Sequence, residues 1–67
     1  MDVRIRLAEN MKRLRKERGW SQEALADAAG LDRTYISGIE RVVRNPTATV
    51  LDRIASALSC KLGELLD

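Results

Sequence analysis

Apolar residues recur along this chain at helical spacing, and three short interruptions carry the residues that stop one helix and start the next. At Gly19-Trp20-Ser21, glycine takes the left-handed conformation that ends a helix without a Cβ penalty, and serine caps the following one. Gly30-Leu31-Asp32 repeats the arrangement with aspartate as the cap. Asn45-Pro46-Thr47 is the third, since proline cannot continue a helix and threonine can begin one. No segment alternates with a period of two, so strands have no footing. The punctuation forces short helices joined by tight turns.

Each interval has an apolar side. Leu7, Met11, Leu14 and the stem of Arg18 form one stripe on a first helix. Trp20 and Leu25 have the hydrophobic-staple spacing around Ser21, and Leu31 and Ile36 have it around Asp32. Leu25, Ala26, Ala28 and Ala29 give the second helix a thin apolar face. The third runs from Arg33 to about Arg41, with Ile36 and Ile39 on its buried side. Leu51, Ile54, Ala55 and Leu58 mark a fourth, and Leu62, Leu65 and Leu66 a short fifth. The expected fold is all-α: a compact five-helix bundle forming a single domain over residues 1–67, with loops too short to hold a linker or repeat.

Composition removes whole classes of function. Sixty-seven residues support only about 3–5 kcal/mol of net stability without a staple or a partner. The one cysteine, Cys60, allows no disulfide within the chain and no multi-cysteine metal site, and its apolar setting marks it as a small hydrophobe rather than a nucleophile. With no histidine the usual general base and zinc ligand are missing, and there is neither a paired-carboxylate pattern nor a glycine-rich phosphate loop. No enzyme activity, metal or cofactor is expected. No run of about 18 apolar residues is present, so a soluble cytoplasmic protein without membrane partners is expected. The net charge of +2 says little, but its distribution is uneven. Residues 1–20 hold seven bases against three acids, residues 21–32 three acids and no base, and residues 33–46 three arginines against one glutamate.

The segment from about 22 to 41 fits a helix-turn-helix. Ala26 is small where two crossing helices approach most closely, Gly30 supplies the turn, and Leu25, Ile36 and Ile39 hold the pair together. SQEALADAAGLDRTYISGIE, followed by RNPT and RIASAL, resembles the Xre/Cro family of phage-repressor-like (lambda-repressor-like) helix-turn-helix domains, from about Arg4 to Leu66. LDRTYISGIER with the downstream RN is especially similar to controller proteins of restriction–modification systems. The resemblance implies a five-helix bundle whose third helix reads the DNA major groove. It also implies that Arg15 and Glu40, on inward positions of their helices, form an internal structural ion pair, and that Gln22 touches the DNA backbone.

The residues fit that role by their own chemistry. A recognition helix presents its N-terminal, outward positions to base edges, and here these are Arg33, Thr34, Ser37 and Gly38. Arginine matches guanine O6 and N7 together. Thr34 can offer a methyl to thymine or a hydroxyl to phosphate, and Ser37 can donate or accept. Gly38 costs about 1 kcal/mol inside a helix; it either lets the helix lie close to DNA or is tolerated drift. Tyr35 is placed either to reach DNA with its hydroxyl or to close the core edge. Gln22 opens the second helix, where free N–H groups attract phosphate, and Arg44 and Asn45 sit in the next loop for phosphate contacts or for a plain loop role.

A sequence-specific regulator that occupies double-stranded DNA as a homodimer is the expectation. Leu62, Leu65 and Leu66 are the candidate dimer surface, with simple core as the other reading. A protein-interaction module of antitoxin or coactivator type is the alternative, and the polar Arg33, Thr34 and Ser37 argue against it. Two departures from the family pattern stand out. Val42 replaces the usual glycine after the third helix, so the helix extends or the loop takes another path. Ser59 and Lys61 replace the common glycine and cap before the last helix and leave its position open.

Overall fold

The computed structural model describes residues 2–67, all helix and connecting turn. Its helices are α1 (Val3–Glu17), α2 (Gln22–Ala29), α3 (Arg33–Glu40), α4 (Ala48–Ala57) and α5 (Leu62–Leu66). Four side chains start them. Asp2, Ser21, Asp32 and Thr47 accept from the backbone N–H two or three residues on, satisfying donors that a helix N-terminus leaves free. Before α5 the polarity is reversed: the Glu64 carboxylate accepts from the Lys61 N–H at 3.2 Å.

One core joins all five helices. Leu7, Met11, Leu25, Ala26, Ile36, Ile39, Ile54, Ala55, Leu58 and Leu65 are buried in it, with Trp20 and Leu31 packed against its edge. Ala28 is exposed, so the apolar face of α2 is narrower than its sequence implies. Leu65 belongs to this core as well, fully enclosed at 0% exposure, which corrects its assignment to a dimer surface; Leu62 and Leu66 are half-buried beside it. The five-residue α5 is turned by Gly63 and Glu64 toward water and by Leu65 toward the core. Long polar side chains fasten the far ends of the chain. The Asn10 amide donates to the carbonyls of Leu65 (2.9 Å) and Asp67 (3.1 Å), and Arg18 Nη2 donates to the Leu58 carbonyl at the end of α4.

The first four helices all end alike. After α1, Gly19 is left-handed, its N–H reaches the Lys16 carbonyl and that of Trp20 reaches Arg15. Gly30 with Leu31, Val42 with Val43, and Ser59 with Cys60 make the same pair of bonds after α2, α3 and α4. Val42 therefore takes the conformation that its branch disfavours, at φ 62°, and Ser59 does so at φ 53°. Neither path expected for Val42 is followed: α3 does not extend, and the loop keeps the glycine route with a valine in it. Closing two carbonyls outweighs the about 1–2 kcal/mol that a left-handed L-residue costs.

Val42→Gly should accordingly raise stability by about 1 kcal/mol, after subtracting the greater freedom of glycine in the unfolded chain. In a domain of this size that is about 4–8 °C in Tm, measurable by circular dichroism. An unchanged Tm would mean that packing of the half-buried valine compensates the backbone strain in full.

Candidate nucleic-acid interface

α3 buries Ile36, Gly38, Ile39 and Glu40 and leaves Arg33 and Thr34 exposed at its N-terminal end. Asp32 governs that end. Its Oδ1 accepts the Thr34 N–H at 2.9 Å and the Thr34 hydroxyl at 2.8 Å. These two bonds hold the Asp32 carboxyl below its ordinary range, helped by the nearby positive charges of Arg33 and Arg44. Thr34 thus has its hydroxyl proton engaged, and what it keeps for a ligand is the methyl and the two oxygen lone pairs. Ser37 is half-buried on the next turn.

Gly38 departs from its expected place. It is not on the open face but buried, because the aliphatic stem of Arg44 lies across it. The Val43 and Arg44 N–H groups both donate to the Gly38 carbonyl, at 2.9 and 3.1 Å, so the loop turns back over the helix at this residue. The stem leads the Arg44 guanidinium to the Tyr35 ring, 5.3 Å from its centroid. Tyr35 itself is half-buried against the core, while Arg44 and Asn45 are exposed. Sequence reasoning found Arg44 and Tyr35 separately and missed that Gly38 brings them together; the signal available was an otherwise unexplained mid-helix glycine six residues before an arginine.

Behind this surface Arg15 and Glu40 meet. Nε and Nη2 of Arg15 donate to the two Glu40 oxygens at 2.9 and 3.0 Å, and Nη1 donates to the Trp20 carbonyl at 2.9 Å. The Gln22 amide also donates to Glu40 Oε1, at 3.1 Å. Gln22 is therefore not simply held out to a ligand. One of its two amide hydrogens is engaged with Glu40. A single carboxylate ties α1, α2 and α3 together under the candidate surface.

The sequence profile described as Helix-turn-helix matches residues 11–65. A hypothetical transcription factor of Neisseria meningitidis serogroup B is 45% identical over 65 residues, which span 97% of this chain and 61% of that protein. The crystal structure of a hypothetical transcription factor from Neisseria superimposes with a TM-score of 0.96 at 44% identity, covering 98% of this chain and 76% of that one. The control protein C.SmaI of Serratia marcescens is 44% identical over 66 residues, 98% of this chain and 79% of its own. SinR, solved in complex with DNA, superimposes with a TM-score of 0.86 at 35% identity, covering 91% of this chain and 98% of that one. The helix order, the capped α2–α3 pair and these likenesses agree, and the chain belongs to the helix-turn-helix family, as an Xre-like member.

Proposed function

We propose that this protein is a sequence-specific DNA-binding transcriptional regulator that places α3 in the major groove. The observation that carries the reading is the capped N-terminal end of α3, where Arg33 and Thr34 stand exposed on a helix fixed to the core by Ile36 and Ile39. Arg33 is the guanine reader, with Thr34, Ser37 and Tyr35 as further base contacts. Gln22, Arg44 and Asn45 meet phosphates, joined by the N–H groups that open α2. Gly38, being buried, acts through its neighbours. Two copies on a symmetric pair of half-sites supply the affinity that one small domain lacks, with Leu62 and Leu66 as candidate interface residues. The similarity to C.SmaI favours a controller of restriction–modification genes, which a restriction endonuclease gene next to this one would support.

Selection from a random duplex pool tests the reading. A consensus with two symmetric half-sites is the expected result; no enrichment would favour the protein-interaction alternative. On that consensus Arg33→Ala should lose about 1–3 kcal/mol of discrimination at one base position per half-site, whereas Arg44→Ala should weaken all sequences about equally. Titrations against single-base variants, with circular dichroism to verify folding, distinguish the two. An Arg33→Ala protein that keeps every base preference would pass the reading role to Thr34, Ser37 or Tyr35.

A further inference from the structure

We propose that Gly38 is a positioning residue: by lacking a side chain it lets Arg44 lie across α3 and rest its guanidinium on Tyr35, so that Arg44 meets DNA already in place. The proposal rests on the DNA-binding reading and deepens it. Its basis is steric. A Cβ built on Gly38 would fall on Arg44 Cγ, inside any allowed separation, and would crowd Arg44 Cβ at 3.3 Å. These are the near atoms of the side chain, so movement at its far end cannot relieve the clash. The backbone has little room to yield, because the N–H groups of Val43 and Arg44 are both bound to the Gly38 carbonyl. The stem of Arg44 must swing away, and since Arg44 is exposed it can do so into water without disturbing the core.

The arrangement explains why a glycine occupies the middle of a recognition helix, where alanine is intrinsically better. Arginine has many rotamers, and immobilising such a side chain on binding opposes association. Here the choice is narrowed beforehand by three features: the bare backbone of Gly38 under the stem, the Tyr35 ring under the guanidinium, and the Asp32 carboxylate near enough to feel the charge. Gly38, Tyr35 and Asp32 stand on or next to α3, so the loop arginine is registered to the same helix that carries Arg33.

The test compares the wild-type protein, Gly38→Ala, Arg44→Ala and the double variant, on the duplex selected by the wild-type protein. Gly38→Ala should keep or raise the thermal midpoint, because alanine favours the helix. It should also weaken DNA binding by about three- to tenfold, the cost of ordering one long side chain anew. In the Arg44→Ala background the same substitution should have no further effect on binding. Nuclear magnetic resonance of the free protein gives an independent readout: Arg44 side-chain protons shifted upfield by the Tyr35 ring should return toward ordinary values in Gly38→Ala. Equal loss in both backgrounds would overturn the proposal, because Gly38 would then be serving close approach of the helix to DNA. Unchanged affinity, or an Arg44 ring shift that survives in Gly38→Ala, would overturn it too. Failure of the wild-type protein to select any duplex strikes the functional reading instead, and the ring shift still decides whether Gly38 positions Arg44.

Discussion

Replacing Arg15 with methionine should destabilise the protein by about 3–5 kcal/mol, enough to leave much of a domain this size unfolded at room temperature. The guanidinium makes two bonds to Glu40 and one to the Trp20 carbonyl, and its loss strands a carboxylate whose side chain is only 2% exposed. Gln22 would be the only remaining side-chain donor to it among the described residues. The pair is not expected to be worth that much against an apolar replacement, because taking both charges out of water is itself costly. Arg15→Met combined with Glu40→Leu should therefore recover most of the loss. Urea unfolding of the single and double variants decides the matter. A single variant within about 1 kcal/mol of wild type would show that water reaches Glu40 and solvates it, contrary to its burial.

Leu65→Ala should be nearly as damaging, at about 2–5 kcal/mol, and should act by unfolding rather than by separating subunits. Leu65 is fully enclosed, and α5 has only five residues with which to keep its place against α1. The half-buried Leu62 and Leu66 behave differently: a charge at Leu66 should leave the helical signal largely intact and, if the two copies meet there, shift sedimentation toward monomer. Circular dichroism and sedimentation at one protein concentration read both outcomes. A folded, monomeric Leu65→Ala protein would return Leu65 to the dimer surface.

The starts of helices were legible because they are chemical: Ser21, Asp32 and Thr47 announce themselves by side-chain oxygens that accept backbone N–H groups. The left-handed residues that close them were legible only where glycine marked them. Gly19 and Gly30 declare a left-handed residue, but Val42 and Ser59 occupy the same geometry with side chains that do not announce it, since the hydrogen bonds that compel it run to carbonyls three and four residues back. Burial within α5 was likewise hidden. Leu62, Leu65 and Leu66 are alike in sequence, and only the placement of α5 against α1 and α4 separates the core residue from the two at its margin. In the candidate site, Arg33 and Thr34 fall at the exposed start of α3 as helical phase requires. The surroundings of Gly38 and Gln22 were hidden for one reason: each is held by a side chain from another segment, Arg44 in one case and Glu40 in the other.

The bonds from Asn10 to the carbonyls of Leu65 and Asp67 join residues 55 and 57 positions apart, and they bear on how the molecule comes into being. At a synthesis rate of about 5–20 residues per second, about 3–11 seconds separate the making of Asn10 from the making of Leu65. Through that interval α1 has no α5 to pack against. Small helical bundles complete their folding in microseconds to milliseconds once all parts are present. The hazardous period in the life of this protein is thus its birth, longer than the folding event by a factor of about a thousand or more.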